Sequence, residues 1–255
     1  MAELRQRGWL PDTNDLDVLE AAVKEFLGIS DLGTEPQFAV AERRSNATVS
    51  FSPQQAAWLA RFRRVAEVRT VPAFDASATR ALAEDLVHRI HDPTDLGQIE
   101  GWLAEVGVVV VTLLPLKSSK LDGAVTMLDN ARPAIGLTSR GDRMDGYVFT
   151  LLHELAHVSL GHLETVTVRA DEDIVTAAGP DGPEAEANQQ AAEWILPEGV
   201  PLPSGRPSMS AALQIAARYR IHASFVIGRI QRAHQDWGLL RRSLPRVRPY
   251  ISVEN

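Results

Sequence analysis

Apolar positions along this chain recur at helical spacing on both sides of a short central stretch that is rich in valine. Apolar residues three and four apart, with capping residues before them and glycine or proline after them, are typical of amphipathic helices. This pattern predicts helices over residues 16–27, 53–65, 78–90, 94–106, 144–163, 183–196, 208–217 and 224–235.

The central stretch predicts a small sheet. Residues 108–114 form a run dominated by β-branched residues, and residues 123–128 and 134–138 are two shorter strand candidates that Pro115 and Pro133 help to separate. A few strands set among helices indicate the α+β class. We divide the chain into a helical segment and connector over residues 1–72, a core over residues 78–200 and a helix-turn-helix-like segment with a basic tail over residues 205–255.

Composition narrows the chemistry that the chain can perform. Its 255 residues contain no cysteine, so a metal site must use nitrogen and oxygen ligands from His, Asp and Glu. The formal net charge of -7 argues against a surface that is basic throughout and coats DNA. The sequence shows neither a charged and apolar leader nor an apolar run of roughly 20 residues, so we expect a cytoplasmic protein without a membrane span.

The clearest motif is His153-Glu154-Leu155-Ala156-His157, which fits the pattern H-E-x-x-H. On a helix that turns by about 100° per residue, the two histidines lie about 40° apart on one face, so both imidazoles can reach one ion. Glu154 lies beside them, where its carboxylate can act as the general base. Apolar neighbours on both sides predict that this helix is buried and that its ligands lie in a cleft.

A catalytic zinc site generally takes a third protein ligand and leaves one position for water. The candidates are His162, Glu164, Glu184, Glu186 and Glu193. His162 is about 140° around the helix from His157 and points elsewhere unless the helix ends early. Glu184 is nearer to the apolar face of the next helix, but it lies in the first turn, and Glu186 flanks that face. Periodicity alone leaves the choice between these two glutamates open.

These segments resemble the ImmA/IrrE family of zinc metallopeptidases. The likeness is carried by residues 149–157, by Glu184-Ala185-Glu186-Ala187-Asn188 and by residues 191–197, and it covers most of residues 90–234. It implies a zincin-like peptidase core with bound Zn²⁺. In that family the glutamate directly before Ala-Asn is the third ligand, so the resemblance implies Glu186.

The resemblance also implies a partner. Larger family members carry a helix-turn-helix domain ahead of a connector that residues 39–67 resemble, and we expect this chain to lack that domain. The implied function is zinc-dependent endopeptidase cleavage of a separately encoded helix-turn-helix repressor, in a stress response or in the control of mobile elements. The alternative is a zinc-containing regulatory module that docks a repressor or nucleic acid without catalysis. Glu154 argues against that alternative, because a structural zinc site needs no general base.

Further polar residues are weaker candidates. Tyr147, His162 and His222 could stabilise an oxyanion or support the ligands. A basic stretch on the second helix could contact nucleic-acid phosphates weakly, although a solvated charged face is the more common arrangement. This stretch contains Arg61, Arg63 and Arg64.

Overall fold

The structure is a computed structural model, and it describes residues 1–34, 36, 51–163, 169–172, 182–203 and 207–254. Much of the connector and the candidate ligand Glu164 lie outside the described residues. None of the described helices is both long enough and apolar enough to cross a membrane.

Nine α-helices and four strands make up the described chain, with short 3-10 turns between some of them. The helices are α1 (Ala2–Gln6), α2 (Leu16–Leu27), α3 (Pro53–Glu67), α4 (Ala76–Arg89), α5 (Ile99–Glu105), α6 (Met144–Ser159), α7 (Pro183–Ile195), α8 (Met209–Tyr219) and α9 (Ala223–His234). The strands are β1 (Val109–Leu113), β2 (Leu121–Leu128), β3 (Arg132–Thr138) and β4 (Arg169–Glu172).

The four strands form one mixed sheet in the order β1-β3-β2-β4. Strand β1 runs parallel to β3, whereas β2 is antiparallel to both of its neighbours. A small mixed sheet among many helices confirms the predicted α+β class, and it is consistent with a zincin-like peptidase core.

Each face of the sheet is covered by a different layer. Val110, Val125 and Ile135 belong to the larger core, which also holds the buried face of α6. The neighbouring positions along the strands belong to a second core with Trp58 and Phe62 of α3. Because successive strand residues point to opposite faces, a strand covered on both sides is apolar at every position. This explains why β1, whose five residues are all buried, is apolar at every position except Thr112.

The structure differs from the predicted elements at several ends. The helix predicted over residues 94–106 is a 3-10 turn at Pro93–Gln98 followed by α5, and the helix predicted to reach residue 163 ends at Ser159. Strand β4 lies in a polar stretch that we expected to be a loop, since its sequence has no apolar alternation. The short helix α1 was not predicted either.

Candidate metal centre

Helix α6 places the two histidines and the glutamate of the motif in the interior of the protein. The side chains of His153, Glu154 and His157 are each 0% exposed. Leu151, Leu152 and other apolar residues of α6 pack into the larger core and hold the helix in place. Burial of three ionisable side chains is costly unless they have partners, so this helix is built around a polar site.

Three side-chain atoms converge on one point beside α6. The Nε2 atoms of His153 and His157 are 3.0 Å apart, and Oε2 of Glu184 on α7 lies 3.2 Å from the first and 3.4 Å from the second. This is the group of His, Asp and Glu residues in the described chain that could hold a metal ion.

The size of this triangle fits a small divalent cation. Ligand atoms about 2.0–2.2 Å from a tetrahedral ion of the size of zinc lie about 3.3–3.6 Å from one another. The observed separations of 3.0, 3.2 and 3.4 Å are close to these values. Two imidazoles and a carboxylate are also the donor set of many catalytic metal sites. The residues present therefore fit a metal with three protein ligands and an open position.

The position of Glu184 departs from the expectation that Glu186 completes the ligand set. Helix α7 buries Ala187, Asn188 and Ala191, and Glu184 lies one turn before Asn188 on this face. Glu186 is two residues further on, about 200° around the helix. Its side chain is 64% exposed, against 33% for that of Glu184. The carboxylate that meets both imidazoles is that of Glu184.

His162 lies beside His157 because α6 ends at Ser159, before it reaches residue 162. Gly161 adopts φ 74°, a left-handed conformation that glycine tolerates without steric cost. The backbone N–H of His162 donates to the carbonyl of His157 at 3.0 Å, and that of Gly161 donates to Val158 at 3.3 Å. These two bonds form a Schellman motif, which ends the helix and reverses the chain. The condition under which His162 could approach the motif is therefore met.

His162 and Glu186 form a hydrogen-bonded chain behind His157. Nδ1 of His162 lies 2.9 Å from Nδ1 of His157, and Nε2 of His162 lies 3.1 Å from Oε2 of Glu186. If Nδ1–H of His157 donates to His162, then Nε2–H of His162 donates to the carboxylate. In this arrangement the lone pair on Nε2 of His157 points into the three-atom cluster. Metal-binding histidines are commonly oriented by such a bond from their other nitrogen.

The carboxylate of Glu154 packs directly against the backbone of β2. A Cβ atom built on Gly123 would lie 2.6 Å from Oε1 of Glu154 and 2.6 Å from Cγ2 of Thr150. Any residue larger than glycine would displace one of these groups. A glycine within a strand often marks such a close approach, so this signal was present in the sequence.

The electrostatics of the cluster favour an ionised Glu184. Burial alone would raise the pKa of the Glu184 carboxyl group. When Nε2 of His153 and of His157 carries a proton, hydrogen bonds and charge from these rings outweigh burial and lower the pKa below its usual range. A carboxylate that stays ionised is the form that binds a cation.

Two other candidates have structural partners. The hydroxyl of Tyr147 lies 2.8 Å from Oγ1 of Thr112 on β1, and burial raises the pKa of Tyr147. Nδ1 of His222 accepts the backbone N–H of Ser224 at 3.1 Å, which makes His222 the N-cap of α9. The structure thus brings neither side chain into the cluster of ligands.

Two of the three arginines of the basic stretch on α3 contact the N-terminal part of the chain, and the third pairs within α3. The guanidinium of Arg61 lies 5.9 Å from the ring centroid of Trp9, and that of Arg64 lies 5.7 Å from the ring of Phe26. Arg64 also donates to the carbonyl of Glu25, and Arg63 lies 3.5 Å from Glu67. Each of the three arginines thus has a contact within the protein, and a role for them in nucleic-acid binding stays a prediction.

Comparison with known protein families places these elements in context. A sequence profile of the IrrE N-terminal-like domain, a family of peptidases, matches residues 104–231, half of the chain. The matched region runs from the end of α5 to α9 and contains both histidines of the motif, Glu154, Glu184 and Glu186. A comparison with curated proteins gave no significant match. With its H-E-x-x-H helix, its small mixed sheet and a cluster of ligands suited to a metal, the chain belongs to the IrrE N-terminal-like family of metallopeptidases, of the ImmA/IrrE type.

Proposed function

We propose that this protein is a zinc-dependent endopeptidase, in which His153, His157 and Glu184 hold the ion. Neutral imidazole nitrogen and carboxylate oxygen are common ligands of catalytic zinc, and the chain has no cysteine to offer in their place. When bound, the ion supplies a Lewis acid that polarises the carbonyl of the peptide bond and acidifies a water molecule.

Glu154 is the group that moves protons in this mechanism. Its carboxylate accepts a proton from the attacking water and returns it to the nitrogen of the leaving amine. Burial of Glu154 excludes bulk water, and the contact with Gly123 fixes the position of the carboxylate. The bond from His162 orients His157, so that the ligand does not rotate during the reaction.

The observation that carries this proposal is the fully buried Glu154 adjacent to a ligand. A structural metal site closes all of its coordination positions and needs no general base. Here three protein atoms converge, and a carboxylate that is not one of the three lies on the same helix. Burial of a further acid at this place is explained by catalysis.

The substrate that we propose is a separately encoded helix-turn-helix repressor, cleaved during a stress response or in the control of a mobile element. The support for it is the resemblance to the ImmA/IrrE family and the match to the IrrE N-terminal-like domain. An extended or locally unfolded segment must enter the site, because the backbone carbonyl has to reach the three ligand atoms. We further propose that the protein acts in the cytoplasm.

Co-expression tests this proposal. The chain is produced together with a helix-turn-helix repressor encoded next to it, and the repressor is followed by immunoblot and mass spectrometry after DNA damage. We expect a defined cleavage product with the wild-type protein and with Glu84→Gln, a matched change at an exposed position of α4. We expect none with Glu154→Gln. An intact repressor in every case, or equal loss of the repressor with Glu154→Gln, would contradict the proposal.

A further inference from the structure

A cavity of about 490 Å³ lies along α6, about one helical turn from the residues of the metal centre. Phe149 and Thr150 line it, and each lies one helical turn before a residue of the centre. The ring of Phe149 lies 6.5 Å from that of His153. Thr150 and Glu154 both approach Gly123. The volume is in the range of sites that bind small molecules or single side chains.

The acidic groups that line this cavity already have partners. Arg140 donates two hydrogen bonds to Asp122, at 2.8 and 2.6 Å, and Arg143 donates to Asp145 at 3.1 and 2.6 Å. The third, Asp142, accepts the backbone N–H groups of Val247 and Arg248 through Oδ1, and its Oδ2 lies 4.0 Å from Nε of Arg246. None of these three carboxylates is thus left to neutralise another cation in the cavity.

Two further arginines of the cavity, Arg229 and Arg232 on α9, differ from Arg140 and Arg143. Neither forms an ion pair with any residue that the structure describes. Arg232 stacks over Phe149, with its guanidinium carbon 5.3 Å from the ring centroid. Burial lowers the pKa of both side chains, and the charge of Arg229 lowers that of Arg232 further. Glu193 and Glu198 act on Arg229 from a distance.

A half-buried guanidinium without a carboxylate partner has lost part of its hydration and has no opposite charge in contact to replace it. An arginine presents a planar fork of donors that matches a carboxylate, and such a pair is stronger where water is partly excluded. The stacked Phe149 holds this fork beside the helix that carries His153. An anionic group that entered the cavity would therefore gain charge-assisted hydrogen bonds from Arg232.

We propose that this cavity is a specificity subsite that binds an acidic side chain of the peptide substrate, with Arg232 as the anchor and Arg229 as a supporting cation. The proposal rests on the proposed peptidase function, since it assigns the cavity to the same substrate. An extended peptide advances about 3.3 Å per residue, so a side chain one to three residues from the scissile bond spans one turn of α6. Ile195 and Phe225, which also line the cavity, supply apolar surface for the stem of that side chain.

The test measures binding, so that it does not depend on turnover. Three fluorescein-labelled octapeptide mixtures are randomised among uncharged residues, except at one fixed position. The first has Glu at that position and a C-terminal amide, the second has Gln and an amide, and the third has Gln and a free C-terminal carboxylate. Affinity for the zinc-loaded Glu154→Gln protein is measured by fluorescence polarisation. We expect the Glu mixture to bind about tenfold more tightly than the Gln amide mixture, as a charged hydrogen bond allows.

Arg232→Gln, made in the same Glu154→Gln background, should reduce this preference to less than about twofold. Arg218→Gln is the matched control, because Arg218 also lies over an aromatic ring, that of Tyr219, but does not line the cavity. It should keep the full preference. Arg232→Lys should keep part of it, because the charge remains and the fork is lost. Thermal melting checks that each variant is folded.

Equal affinity for the Glu and Gln amide mixtures would overturn the proposal, as would a preference that survives in Arg232→Gln. If only the mixture with the free C-terminal carboxylate binds more tightly than the Gln amide mixture, and this difference depends on Arg232, the site binds a terminal carboxylate. That result would contradict the side-chain assignment. If the wild-type protein hydrolyses no peptide while the preference and its loss in Arg232→Gln are observed, the peptidase function fails and the acidic subsite stands.

Discussion

Replacement of Gly123 by alanine should show that the position of the Glu154 carboxylate controls the rate of hydrolysis independently of the stability of the fold. The added Cβ would lie 2.6 Å from both Oε1 of Glu154 and Cγ2 of Thr150, whereas ordinary contacts begin at 3.4 Å. Relief of this overlap requires α6 and β2 to separate, or the carboxylate to move, by about 0.8 Å. A displacement of this size at a reacting group costs about 100-fold in rate.

Gly136→Ala is the matched control. Gly136 faces the other side of the sheet, where a Cβ would lie 2.8 Å from Trp58 and 2.9 Å from Phe62. Both variants overpack a core, so each should lose about 1–3 kcal/mol of unfolding free energy. For a chain of this size the melting temperature should fall by about 2–4 °C for each kcal/mol.

The assay measures kcat/KM on a cleavable peptide, zinc content and melting temperature for the wild-type protein and both variants. We expect Gly123→Ala to lose about 100-fold in kcat/KM with its zinc retained, and Gly136→Ala to stay within about threefold of the wild type. A Gly123→Ala protein with nearly wild-type kcat/KM would refute the idea that this contact positions Glu154. So would an equal loss in Gly136→Ala.

Three further predictions concern the ligands and the caps. Glu184→Ala should lose bound zinc, whereas Glu186→Ala should keep one zinc per chain, as read by atomic emission after dialysis. His162→Ala should retain the site but weaken zinc affinity by about 10–100-fold, because His157 loses its orienting hydrogen bond. Competition with a chromogenic chelator measures the affinity, and an unchanged value would contradict this prediction. Burial lowers the pKa of His222 from its usual value of 6.5, an effect that Asp92 partly opposes, so the unfolded chain binds this proton more readily. The stability that His222 contributes is therefore present above about pH 6.5 and lost as the pH falls below it, by about 1 kcal/mol for the cap. Urea titrations of wild type and His222→Ala, which lacks the cap at every pH, should therefore converge at low pH.

The sequence was sufficient to predict the site wherever periodicity and chemistry agree. The H-E-x-x-H spacing predicted that two imidazoles share a face, and the apolar neighbours predicted burial, because both follow from 3.6 residues per turn. The β-branched run of residues 108–114 likewise predicted a strand, which the structure has as β1.

Other features depend on contacts between distant segments. Periodicity placed Glu184 nearer to the buried face of α7, but its first-turn position and the family resemblance both favoured Glu186. The packing of α7 against α6 decides between them, and no local pattern contains this information. Strand β4 forms by pairing with β2 and has no apolar alternation of its own. The approach of His162 depends on the early end of α6 at Gly161, a glycine whose conformation the sequence alone could not establish.

The arginines of α9 show the same limit. Arg229 and Arg232 are three residues apart on an amphipathic helix, and in sequence they resemble an ordinary solvated face. Their significance comes from the cavity beside α6 and from the pairing of its carboxylates with Arg140 and Arg143.

The most direct test of the account compares peptide hydrolysis by the wild-type protein and Glu154→Gln at equal zinc content. Both proteins are stripped with a chelator, reloaded with one equivalent of Zn²⁺ and incubated with a peptide library that is analysed by mass spectrometry. The account predicts zinc-dependent cleavage at internal peptide bonds by the wild-type protein, and a rate at least about 100-fold lower for Glu154→Gln with the fold and zinc intact. Equal cleavage by the two zinc-loaded proteins, or cleavage by the wild-type protein that persists after zinc removal, would contradict it.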